Sequence, residues 1–173
     1  MRYLLNTEIG LMGVWDSRSL DFIVDKDTYD QTLVNDNNIA KVMNEKGVVI
    51  WGVGGDGKRS MEVRINPQNE LENKEKEYLE MESQEYKLVI SSGTALVGSP
   101  EWAGKLQEDG LKNKALGIRN INLENGVYSL KVYFLSWDFT DSSLNDLPEY
   151  IVVLKKVENN YRFVPVKIVE TLD

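Results

Sequence analysis

The chain has no histidine and no cysteine, so carboxylates, lysines, hydroxyls and tryptophans must carry whatever chemistry it does. Histidine is the usual acid–base group near neutral pH, and cysteine the usual thiolate nucleophile and soft metal ligand. A Ser or Thr nucleophile here lacks a His partner, and no Ser-x-x-Lys pattern replaces it. Carboxylate catalysis is the one common enzymatic route left. A hydrolase of that kind needs two carboxyl groups across a cleft, one of them with a raised pKa. With 28 Asp and Glu, pairs abound and no spacing singles one out. No catalytic residue, cofactor or metal ligand is assigned, and the chain reads as a non-enzyme.

Two motifs test that reading. Residues 52–57, Gly-Val-Gly-Gly-Asp-Gly, match the letters of the dinucleotide fingerprint. The fingerprint needs a helix next, whose N-terminus holds the pyrophosphate. The residues after this run are Lys58-Arg59-Ser60-Met61-Glu62-Val63-Arg64-Ile65, an alternating strand pattern. The run is expected to be a hairpin turn between two antiparallel strands, with Asp56 and Gly57 in the reversal. Residues 25–30, Asp-Lys-Asp-Thr-Tyr-Asp, have the spaced aspartates of a calcium loop but put Tyr29 and Asp30 where it needs an oxygen ligand and a glycine. Surface turn chemistry is the expectation there.

Binding offers more candidates. Asp138, Asp141, Asp146 and Glu149 lie in a stretch, 138–149, without Lys or Arg, and Trp137 and Phe139 stand at its start. Acidic groups beside an aromatic anchor suit a basic protein partner. Trp102, like Trp137, falls at the end of an expected element, where a face could stay exposed, whereas Trp51 sits in an apolar run and reads as core. Exposed tryptophans would alternatively suit a carbohydrate- or small-ligand-binding module. Seven Glu between residues 70 and 85 read either as a solvated face or as a second part of the same acidic surface. The net charge of −8 argues against broad contact with nucleic-acid phosphates or anionic membranes.

The elements that must position these residues are mostly strands. Period-two or apolar runs are expected at residues 20–24, 46–51, 60–65, 86–90, 94–97, 127–137, 150–154 and 161–169. In the run 127–137, Tyr128, Leu130, Val132 and Phe134 form one apolar face while Tyr133 and Leu135 make the other face apolar too. Helices are expected at 37–45, stopped by Gly47, and at 100–109, with Ser99 as N-cap and Pro100 at the first position. Residues 66–77 read as a solvated loop or a short charged helix. The fold class expected is all-β, or β-rich α+β: one domain over 1–173, an antiparallel β-sandwich of about eight to ten strands with one or two short helices. Residues 1–8 lack the apolar stretch of a signal peptide, and no run approaches a membrane span. A cytoplasmic protein is the default.

Three stretches carry a family resemblance. They are Gly47-Val48-Val49-Ile50-Trp51-Gly52-Val53-Gly54-Gly55-Asp56-Gly57, then Ser92-Gly93-Thr94-Ala95-Leu96-Val97-Gly98, then Gly126-Val127-Tyr128-Ser129-Leu130-Lys131-Val132. Over residues 20–157 this resembles a set of small, mostly uncharacterised bacterial β-sandwich proteins found near polymorphic toxin systems. The resemblance implies an immunity-type partner protein that masks a basic toxin or effector, and it carries no catalytic residue across.

Overall fold

The computed structural model describes residues 1–107, 112, 117–137, 144 and 146–173. The chain builds ten strands among these residues, in two sheets that share a core. β1 (Arg2–Thr7) and β2 (Leu11–Asp16) open it, followed by helices α1 (Lys26–Leu33) and α2 (Asp36–Lys46). Then come β3 (Val49–Gly52), β4 (Gly57–Ile65), the short helix α3 (Asn73–Glu77), β5 (Leu79–Glu82), β6 (Tyr86–Ile90) and β7 (Thr94–Gly98). Two 3-10 turns, Pro100–Trp102 and Gly104–Leu106, precede β8 (Ile118–Asn122), β9 (Gly126–Leu135) and β10 (Tyr150–Val157).

The larger sheet runs β1-β4-β10-β9, and β5 and β6 both pair with the outer edge of β9. The smaller sheet runs β3-β2-β7-β8. Every pairing between two of these strands is antiparallel except β4 with β10, which is parallel. The β-rich, mainly antiparallel fold is as expected, with one parallel seam. β10 is buried along Tyr150–Leu154 because both of its faces are covered. Tyr150, Val152 and Leu154 face the core shared by the two sheets, with Met12, Val14, Trp15 and Trp51. Ile151 and Val153 face a second cluster holding Leu71, Tyr133, Leu135, Trp137, Leu144 and Leu147. This explains the doubly apolar pattern of β9. Each such aliphatic side chain contributes roughly 1.5–3 kcal/mol relative to exposure.

Several expectations change. The glycine run does not close a hairpin. β3 belongs to the smaller sheet and β4 to the larger, so residues 53–56 carry the chain from one sheet to the other. A strand still follows the run, so no helix N-terminus is available for a pyrophosphate. Residues 20–24 are not a strand. They turn and lead into α1, where Asp25 is the N-cap: its carboxylate accepts from the Thr28 amide at 2.9 Å, and the Thr28 hydroxyl accepts from the Asp25 amide at 3.0 Å. The spaced aspartates thus start a helix. α2 forms as expected, closed by Gly47, whose amide donates to Met43. Of the helix expected at 100–109, residues 100–106 form the two 3-10 turns, with Pro100 in the first turn as expected and no side-chain cap from Ser99, and residues 108 and 109 lie outside the described residues.

Residues 161–169 form no ladder. They belong to an extended strap. The Asn44 amide brackets the backbone of Val166, donating to its carbonyl at 2.8 Å and accepting from its N–H at 2.9 Å. Further on, Gly52 and Thr171 form a parallel bridge, with Gly52 donating to the Glu170 carbonyl and accepting from the Leu172 amide. The strap therefore satisfies the Gly52 end of the outer edge of β3. A Cβ on Gly52 would stand 2.7 Å from Thr171 Oγ1, so only glycine admits so close an approach.

Candidate functional site

Of the acidic end that the sequence singles out, Trp137, Asp146 and Glu149 lie among the described residues. Trp137 is buried in the second cluster. Glu149 is half-buried, and its carboxylate accepts from the Ser60 amide at 2.6 Å and the Ser60 hydroxyl at 3.3 Å. Its own amide donates back to that hydroxyl at 2.9 Å, so Glu149 ties the start of β10 to β4. Asp146 is exposed, and its backbone carbonyl accepts from the Arg2 guanidinium. Asp138 and Asp141 lie outside the described residues. Trp102 is remote from this group and lines a different cavity.

Of the glutamates of 70–85, Glu70, Glu75 and Glu82 are paired in place, while Glu72, Glu77, Glu80 and Glu85 are exposed. Glu75 is buried, and both its carboxylate oxygens take the Arg64 guanidinium, at 2.9 and 2.5 Å. The Glu72 amide donates to the same carboxylate at 2.7 Å. Glu70 accepts from Lys155 and from the Tyr133 hydroxyl, and Glu82 pairs with Lys131 at 3.0 Å. Burial alone would raise the carboxyls of Glu62 and Glu70. Arg2 and Arg64 around Glu62, and Lys155 and Tyr133 at Glu70, hold them below the usual range instead.

A cleft of about 540 Å³, acidic and without ion pairs to its carboxylates among the described residues, is the better candidate. Three segments make it. The turn between β1 and β2 supplies Glu8 and Ile9, and β2 supplies Leu11. α1 and its C-cap supply Lys26, Tyr29, Asp30, Leu33 and Val34. The 3-10 turns supply Glu101, Trp102 and Leu106. The floor is apolar and the rim is acidic. Its volume falls in the ~300–1,000 Å³ range of ligand sites.

Local chemistry fixes each wall. The Thr7 hydroxyl accepts from the amides of Ile9 and Leu11 at 3.3 and 3.2 Å, which shapes the turn carrying Glu8. The Asp25 cap sets where α1 starts, so Tyr29 and Leu33, four residues apart, turn their common face inward while Asp30 and Val34 stay exposed. Gly104 holds the third wall against the loop before α1. It sits at φ +63°, and a Cβ there would lie 2.1 Å from the Ile23 carbonyl. The amide of Lys105 donates to that carbonyl at 3.0 Å. Glu101 reaches the first wall, accepting from the Glu8 amide at 3.3 Å.

The electrostatics are distinctive. Among the described residues no ion pair engages Glu8, Asp30 or Glu101, and Lys26 is the one cation lining the cleft. Residues 21–36 add Asp21, Asp25, Asp27 and Asp36 nearby in sequence. Burial pushes the Glu101 carboxyl above its usual range, and the Glu8 charge pushes the same way, against the Glu8 amide, which favours the ionised form. Tyr29 is only 8% exposed, and its hydroxyl has no hydrogen-bond partner among the described residues. Burial, then the charges of Glu101 and Asp30, hold that phenol well above its ordinary range, so it stays neutral. Sequence reasoning found Trp102 alone of these residues. Among the four tryptophans, Trp15, Trp51 and Trp137 are buried and Trp102 is half-buried in the cleft wall. No described helix is long and apolar enough to cross a membrane.

No protein-family model matches the chain, and no curated protein matches it in sequence. In structure it is similar to ComJ of Bacillus subtilis, described as an inhibitor of the DNA-degrading activity of NucA: the TM-score is 0.53 at 12% identity, over 91% of this chain and 96% of ComJ. At that identity the likeness establishes a shared fold.

Proposed function

We propose that this chain is an immunity-type inhibitor, a non-catalytic binding protein that masks an effector enzyme, with a nuclease as the first class to try. The observation that carries this reading is the near end-to-end likeness to a nuclease inhibitor, across 91% of the chain. Charge supports it. Nucleases hold phosphates with Lys and Arg, and a protein of net charge −8 is steered toward such a site and away from the nucleic acid itself. Inhibition then follows from occupying the partner's cationic cleft, with no bond made or broken by the inhibitor. The acid-rimmed cleft beside α1 is the contact surface this reading favours, because it sets carboxylates without cations of their own among the described residues around an apolar floor. An apolar centre within a polar rim is also the usual anatomy of an interface.

The test is to mix the purified chain with the product of the neighbouring gene and follow complex formation by size-exclusion chromatography, with DNA degradation assayed in parallel. A stoichiometric complex that suppresses degradation is expected. No complex at micromolar concentrations of both proteins would overturn the reading.

A further inference from the structure

We infer that the cleft beside α1 takes an arginine side chain presented by the protein partner, with the guanidinium at Tyr29 and the acidic rim and the aliphatic stem on the apolar floor. The inference rests on the inhibitor reading and adds to it a site and a ligand chemistry. Three independent observations support it. Tyr29 is more than nine-tenths buried in the cleft wall, yet its hydroxyl has no hydrogen-bond partner among the described residues. An unmet buried hydroxyl costs about 1–3 kcal/mol, which a donor arriving with a ligand would recover. Glu101 and Asp30 line the same cleft as Tyr29. A neutral phenol accepts a hydrogen bond from a cation, and the carboxylates supply the opposite charge.

The second observation is charge. The lining holds Glu8, Asp30 and Glu101 against Lys26, three carboxylates against one ammonium. The third is the apolar part. Ile9 is 43% exposed and Val34 is 63% exposed, and they stand at the cleft beside Trp102 and Leu33. A ligand with an apolar stem and a cationic head matches both parts. Arginine suits it better than lysine, because its planar head stacks on an indole and sheds water at lower cost.

The test has two arms. In the first, n-propylguanidinium and its neutral isostere n-propylurea are titrated into the isotopically labelled chain and followed by NMR. The guanidinium should bind with a dissociation constant on the order of 1–10 mM, as fits a fragment of this size. The shifts should centre on Tyr29, Leu33 and Trp102. The urea should bind about tenfold more weakly, and Tyr29→Phe should weaken guanidinium binding by about the same factor. Equal binding of the two probes, absence of guanidinium binding, or an unaffected Tyr29→Phe chain would each overturn the inference.

In the second arm the complex with the neighbouring gene's product is formed with Val34→Arg, which sets a competing guanidinium on an exposed lip without touching the core. A loss of affinity of tenfold or more is expected. A complex that forms with unchanged affinity for both Val34→Arg and Tyr29→Phe overturns the cleft and leaves the inhibitor reading standing. Absence of any wild-type complex overturns the inhibitor reading, and the guanidinium titration still judges the cleft.

Discussion

Two acidic regions of this molecule differ in what surrounds each carboxylate. Across the wall formed by β4, α3 and β10, Glu62, Glu70 and Glu75 each meet a cation from a neighbouring strand: Arg2, Arg64 or Lys155. At the cleft beside α1, Glu8, Asp30 and Glu101 meet none among the described residues. The wall uses its charge to hold α3 and the loop 66–72 against the sheet. The cleft keeps its charge available to something outside the chain. A count of Asp and Glu along the sequence points to the first region; carboxylates gathered around an apolar cleft point to the second.

The sharpest way to break this contrast is Arg64→Met. It strips the buried Glu75 of its guanidinium, and breaking such a pair typically costs about 3–5 kcal/mol, read from urea denaturation. Adding Glu75→Leu should restore most of that loss, because the uncompensated charge goes with it.

Asp16→Asn should cost less, about 2 kcal/mol by the same measurement. Asp16 is buried, and it accepts from the amides of Arg18, Ser91 and Ser92 and from the Ser92 hydroxyl at 2.7–2.9 Å, pinning the end of β2 to the turn between β6 and β7. Burial would raise its carboxyl, but these donors outweigh it and hold it low. A depressed carboxyl stabilises the fold above its unfolded value of ~3.9 and loses that contribution as pH falls through the folded value. Wild type should therefore lose stability below pH ~4 more steeply than Asp16→Asn, in denaturant melts repeated across pH.

The cleft should behave oppositely. Tyr29→Phe removes an unsatisfied hydroxyl, so stability should stay level or rise by up to about 1 kcal/mol. A fall of more than that would mean the hydroxyl serves the fold. Smallest of all, Glu8→Gln with Asp30→Asn should leave stability within about 0.5 kcal/mol, since both side chains are exposed. The same pair should slow association with the partner at low salt and show little effect at high salt, in stopped-flow measurements.

The fold was more legible than the site. β4, β6, β7, β9 and β10 show their period or their apolar runs directly, and α2 carries its stripe and its glycine stop. β1 and β2 escaped because Arg2-Tyr3-Leu4-Leu5 and Leu11-Met12-Gly13-Val14-Trp15 alternate poorly; pairing with β4, β3 and β7 makes them strands. Residues 20–24 mislead in the other direction, since their apolar side chains anchor the approach to α1. There, Asp25 followed by Thr28 was a readable helix start. Residues 161–169 have strand composition but meet side-chain amides and a hollow of about 200 Å³ where a ladder would be. The cleft was illegible for a different reason. Its walls come from residues 8–11, 26–34 and 101–106, and only the fold brings Glu101 to the Glu8 amide and sets Tyr29 in the same cleft as both acids. Trp102 was visible alone, without the neighbours that give it meaning.

The place of β10 bears on how the protein comes to be folded at all. It is the last of the ten strands in the chain, yet it lies between β4 and β9 and joins them. Until a ribosome has released residues up to Val157, the larger sheet exists only as two halves with no shared hydrogen bond, β1–β4 on one side and β5, β6 and β9 on the other. Each half then presents an open strand edge beside apolar side chains, the geometry that recruits foreign strands. Closing the gap means bringing together segments some 90 residues apart, a slow, non-local step. The interval before β10 inserts is therefore the nascent chain's most exposed moment, and the one at which a chaperone would have most to do.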